Sequence, residues 1–85
     1  MAAVKIFTTR FCPFCVRAKQ LLDRKGVAYD ETAVDGRNDL REDLLKRTGR
    51  RTVPQIWVGD THVGGCDELY TLERSGRLDE LLAAD

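Results

Sequence analysis

Two cysteines three residues apart, Cys12 and Cys15, stand at the boundary between a β-rich run and a helical pattern, and this junction constrains the fold most strongly. Val4 to Thr8 is β-rich and bounded by Thr9-Arg10, so it reads as a short buried strand. From Pro13 to Lys25 the apolar positions Cys15, Ala18, Leu21 and Leu22 share one helical face, while Arg17, Lys19, Asp23 and Arg24 point away. Pro13 suits the first helical position, because its fixed φ matches the helix entry and its missing N–H would be unpaired there anyway. Cys12 therefore falls beside the unpaired amides and the positive end of the helix dipole, a setting that favours a thiolate. Cys15 is about one turn further on the same face, close enough to bridge to Cys12 with little backbone movement. It is expected to be the buried, less reactive partner.

The rest of the chain continues this alternation. Gly26 is expected to end the first helix in the left-handed conformation. Val27 to Val34 reads as a second strand, and Asp35-Gly36-Arg37-Asn38-Asp39 as a turn into a helix carrying Leu40, Leu44 and Leu45, closed by Gly49. Gln55 to Val58 and Thr61 to Val63 flank Gly59-Asp60, which is two-residue hairpin chemistry. Gly64-Gly65 breaks the last strand, and Asp67 to Ser75 reads as a helix with Leu69 and Leu72 inward. Gly76 and a final short turn with Leu78, Leu81 and Leu82 follow. The order β-α-β-α-β-β-α predicts an α/β fold in which helices flank a four-stranded mixed sheet.

Eighty-five residues suffice for a single domain, residues 1–85, but not for two separate cores. Fourteen basic and fourteen acidic side chains cancel, so neither nucleic acid nor a membrane surface is expected as a partner recognised by bulk charge. The N-terminal segment lacks the apolar core of a signal peptide, and no run approaches a membrane span. Three cysteines, two of them closely spaced, do not make the disulfide framework of a secreted mini-protein. A reducing cytoplasm is the expected compartment.

A Cys-x-x-Cys pair can also be half of a zinc site, and Cys12, Cys15, Cys66 and His62 together would supply three thiolates and an imidazole. The strand before the pair and the proline-started helix after it favour a redox pair instead. Trp57 is expected in the core, Tyr29 and Tyr70 at its rim, and His62 exposed on the hairpin.

With Thr52-Val53-Pro54 and Gly64-Gly65-Cys66-Asp67 added in order to Cys12-Pro13-Phe14-Cys15, the chain resembles a glutaredoxin of the small bacterial dithiol kind. The resemblance implies a thioredoxin fold and a glutathione-dependent enzyme. Such an enzyme reduces protein disulfides and protein–glutathione mixed disulfides through Cys12, resolved by Cys15 or by glutathione. Glutathione would be a co-substrate, with no tightly bound cofactor and no metal. The partners would be disulfide-containing or glutathionylated proteins, met by a monomer. The glutathione contacts carried over are Phe14, Arg51, Thr52, Val53, Pro54, Gly65, Cys66 and Asp67. Pro54 would follow a cis bond, and Val53 would pair by backbone with the cysteine part of glutathione. The amides of Gly65-Cys66-Asp67 would take the γ-glutamyl carboxylate, and Asp67 the α-amino group. Cys66 itself reads as a small buried residue without redox work.

The chain departs from the family pattern at two places. Phe14 stands where tyrosine is more usual, which keeps the aromatic wall and loses a hydroxyl. Thr9 stands where a lysine is common, leaving Arg10 or the pair Arg50-Arg51 to meet the glycine carboxylate. A thioredoxin-like carrier served by a flavoprotein reductase would share the fold and the cysteine pair. A carrier of a bridged iron–sulfur cluster would resemble family members with glycine at the Phe14 position.

Overall fold

The computed structural model describes residues 2–84. The elements are β1 (Val4–Thr8), α1 (Pro13–Arg24), β2 (Asp30–Ala33), α2 (Asn38–Thr48), β3 (Gln55–Val58), β4 (Thr61–Gly64), α3 (Cys66–Arg74) and α4 (Arg77–Ala83). They form the four-stranded mixed sheet of a thioredoxin fold, in the order β2-β1-β3-β4. β2 runs parallel to β1, whereas β3 is antiparallel to both β1 and β4.

Strand alternation divides the sheet's side chains between two apolar clusters. Val4, Ile6, Ile56 and Val58 pack with Ala18, Leu21 and Leu22 of α1, Leu69 of α3, and Leu78 and Leu82 of α4. On the opposite face Phe7 and Trp57 meet Val34, Val53 and the α2 residues Leu40 and Leu44. Ile6, Leu22, Ile56, Leu69 and Leu78 are completely buried. Burying one such side chain contributes roughly 1.5–3 kcal/mol, and truncating one to alanine costs about 2–5 kcal/mol. Both cysteines of the pair are thereby mounted on a helix held against the larger cluster.

Two sequence expectations need correction. The second strand covers only Asp30–Ala33 rather than Val27 to Val34, and all four of its residues are exposed because it lies at the sheet edge. Val27 is buried, but its N–H bonds to Leu22 O at 3.0 Å, which folds it onto the end of α1 instead of into the ladder. The C-terminal turn is a separate helix, α4, entered through Gly76 at φ 77°. Its position is fixed partly by Lys25, whose Nζ meets Glu73 at 2.7 Å and Asp79 at 2.6 Å, tying the end of α1 to α3 and α4. No helix among the described residues is long and apolar enough to cross a membrane.

Candidate active site

Cys12 is the N-cap of α1, in extended conformation with φ −132° and ψ 101°, and Pro13 occupies the first helical position. An N-cap side chain ordinarily uses oxygen to accept from the first turn. Here the acceptor is sulfur: the Cys15 N–H donates to Cys12 Sγ at 3.1 Å. That bond and the unpaired amides around it place partial positive charge against the sulfur. The thiol also reaches Val53 O, 3.7 Å away across the site.

Cys15 differs from its neighbour in environment although it lies one helical turn away. It is 1% exposed. Burial, reinforced by its contact with the electron-rich Cys12 sulfur, pushes its thiol up to about 12. Near neutral pH it stays protonated. Cys66, at the start of α3, is also buried, and burial likewise raises its pKa. All three cysteines are free.

Facing the pair, the segment before β3 carries a cis bond between Val53 and Pro54. A groove of about 210 Å³ opens between this segment and α3, lined by Phe14, Arg50, Thr52, Val53, Pro54, Gly65, Cys66, Asp67 and Glu68. Phe14 projects outward as one wall, 51% exposed. The structure thus brings together every expected contact except Arg51. Arg51 lines a neighbouring depression of about 270 Å³ that shares Arg50, Thr52 and Val53 with the groove. Arg10 lines neither the groove nor this depression, and its backbone N–H donates to both carboxylate oxygens of Asp35 at 3.1 Å.

Glu68 is the groove residue that sequence reasoning missed. Its Oε1 accepts from Gly65 N at 2.9 Å and from Arg50 Nη1 at 2.6 Å. The Gly65 amide first, and then Arg50, hold its carboxyl below the usual range. The Gly65 N–H is therefore already engaged, which leaves the first-turn amides of Cys66 and Asp67 without intrahelical partners. Gly64, at φ 113°, makes this clasp possible: a Cβ there would stand 2.5 Å from Glu68 Oε1 and 3.1 Å from Arg50 Nη1. Glu68 is the third residue of a helix capped by Gly65, so the capping-box spacing was a legible signal.

His62 is half-buried rather than exposed. Its Nε2 lies 2.7 Å from Gln55 Oε1, and its ring packs on Trp57 with centroids 4.7 Å apart. Trp57 is buried, as expected. Among the described residues no group of three or more His, Cys, Asp or Glu side chains is arranged to hold a metal, so Cys12, Cys15, Cys66 and His62 do not converge.

The geometry agrees with three comparisons to known proteins. Residues 4–63 match the family model described as Glutaredoxin. A glutaredoxin from Pseudomonas aeruginosa is 60% identical over 84 residues, covering 99% of this chain and all of the relative. The solution structure of a Brucella melitensis glutaredoxin superimposes with a TM-score of 0.87 at 50% identity, covering 96% of this chain and 89% of that one. The crystal structure of a buckwheat glutaredoxin–glutathione complex gives a TM-score of 0.89 at 34% identity, covering 95% and 76% respectively. With an N-capping cysteine, a buried partner one turn later and a groove beside them, the chain belongs to the glutaredoxin family of thiol–disulfide oxidoreductases.

Proposed function

We propose that the chain works as a single glutaredoxin domain, residues 1–85, in which the Cys12 thiolate carries out glutathione-dependent thiol–disulfide exchange. The observation that carries this reading is the bond from the Cys15 amide to Cys12 Sγ. It stabilises negative charge on the sulfur that faces the groove-lining residue Val53 across the site. In deglutathionylation, Cys12 attacks the glutathione sulfur of a mixed disulfide; the Cys12–glutathione bond forms and the protein thiolate leaves. A second glutathione thiolate then attacks that bound glutathione sulfur, releasing glutathione disulfide and restoring the Cys12 thiolate. In protein disulfide reduction, Cys12 attacks one sulfur of the substrate disulfide and the first substrate thiolate leaves; Cys15 then attacks Cys12, its proton passing to the second substrate sulfur as that thiolate is expelled. Two glutathiones reduce the resulting Cys12–Cys15 disulfide.

The groove supplies the binding. Val53 lies against Cys12, so its backbone can pair with the cysteine part of glutathione while Phe14 and Pro54 flank it. The free amides of Cys66 and Asp67 suit the γ-glutamyl carboxylate, and the Asp67 carboxylate suits the α-amino group. Thr52 and Gly65 complete the walls, and the glycine carboxylate is directed toward Arg50 and Arg51, where the groove and its neighbouring depression join. Glutathione is then a co-substrate, with no tightly bound cofactor, and the wider partners are glutathionylated or disulfide-containing proteins of the cytoplasm, met by a monomer. A glutathione-coupled assay on a small glutathione mixed disulfide tests the reading: wild type turns it over, and Cys12→Ser does not. Turnover retained by Cys12→Ser would overturn it.

A further inference from the structure

One polar side chain in the sheet has no solvent exposure and is not part of the chemistry. Gln55, the first residue of β3, is 0% exposed. Burying an amide is unfavourable unless its donors and acceptor are paired. Gln55 Nε2 donates to Thr52 O at 2.9 Å and lies 3.4 Å from Thr52 Oγ1, closing a bridge across Val53 and Pro54. Its Oε1 meets His62 Nε2 at 2.7 Å. The amide is directional: rotated by half a turn, it would set two acceptors, Oε1 and the Thr52 carbonyl, against each other. With the amide in this orientation His62 donates from Nε2, and that donation reinforces the orientation that the Thr52 carbonyl favours.

His62 is itself held in place. It lies opposite Trp57 in the β3–β4 ladder, its ring packs on the indole, and Arg47 of α2 covers Trp57 at 4.4 Å. The chain of contacts runs from Trp57 through His62 and Gln55 to the Thr52 carbonyl, and Thr52 and Val53 line the groove.

We propose that His62 and Gln55 are positioning residues for this exchange reaction: His62 orients the Gln55 amide, and the amide holds the Thr52-Val53 backbone in its glutathione-binding shape before the substrate arrives. A groove segment ordered in advance loses less conformational freedom on binding, so the contribution falls on glutathione affinity. The proposal rests on the reading of this groove as the glutathione site. It differs from a plain packing role for His62, in which the ring matters and the N–H does not.

Two substitutions separate these roles. His62→Phe keeps a ring on Trp57 and removes the donor, whereas His62→Gln removes the ring and keeps a donor within reach of Gln55. Steady-state kinetics should show His62→Phe raising KM for the glutathione mixed disulfide about threefold to tenfold, the range for one lost hydrogen bond. Its kcat should stay within about twofold, because Cys12 and Cys15 are untouched. His62→Gln should remain close to wild type in both. Normal KM in His62→Phe with raised KM in His62→Gln, or equal impairment in both, overturns the proposal. Asp67→Ala, measured in parallel, tests the groove itself. If it raises KM while His62→Phe does not, the positioning role alone is wrong; if neither changes KM, the groove reading fails and the proposal with it.

Discussion

The Cys15 backbone amide donates to Cys12 Sγ at 3.1 Å, while the Cys15 side chain, 1% exposed, is held as a thiol by its burial. One residue thus serves its neighbour twice, first through its N–H and later through its sulfur. The two cysteines should be chemically separable in the reduced native protein. With the Cys15 thiol pushed up to about 12 and Cys66 also raised by burial, iodoacetamide near neutral pH should modify Cys12 alone. Denaturation should expose all three. Peptide mass spectrometry after a brief native exposure checks this, and prompt modification of Cys15 or Cys66 would contradict it.

Asp67→Ala should raise KM for a glutathione mixed disulfide about five- to tenfold and leave kcat nearly unchanged, because its proposed contact is with the amino group of the groove-bound glutathione, remote from the sulfurs. A partly exposed charged contact is worth roughly 1 kcal/mol. Kinetics over a range of mixed-disulfide concentrations, set beside a melting curve, distinguish this from simple capping of α3. Unaltered KM with a lowered melting temperature would leave capping as the whole role.

Glu68→Gln should make stability less dependent on acid pH. The Gly65 amide and Arg50 depress the folded-state pKa of Glu68 below its unfolded value of about 4.5. Its stabilising contribution is therefore complete above that unfolded value and disappears as pH falls through the lower folded one. Its side chain is 42% exposed, so the difference at neutral pH should be modest, about 0.5 kcal/mol. Wild type and variant should melt apart at pH 7 and converge toward pH 3. A constant gap across that range would show that the clasp acts without titration.

Local patterns made much of this structure legible and long-range pairings made the remainder obscure. Val4 to Thr8, the proline-started helix and the Gly59-Asp60 hairpin follow from periodicity and turn chemistry, and each occupies the expected place. Asp30–Ala33 was harder, because an exposed edge strand has no inward face to write a pattern, while the apolar residues Val27 and Val34 at its borders suggested a longer one. The α4 segment has only seven residues, few enough to read as a turn. At the site, motif positions marked most of the groove. The clasp of Arg50 with Glu68 joins residues eighteen apart, and the His62–Gln55 contact joins residues seven apart on neighbouring strands. Neither leaves a periodic trace. His62 reads as exposed on a hairpin until the strand register sets it beside Trp57.

The central claim is that Cys12 receives glutathione and Cys15 only resolves, and the Cys15→Ser protein tests it most directly. Treated with glutathione disulfide and examined by peptide mass spectrometry, Cys15→Ser should carry one glutathione, on Cys12, with Cys66 unmodified. The same protein should remove glutathione from a mixed disulfide within a few fold of the wild-type rate, yet lose most dithiol reduction of protein disulfides and retain substrate as a covalent adduct. Glutathione found on Cys66, or equal loss of both activities in a folded Cys15→Ser protein, would contradict the account.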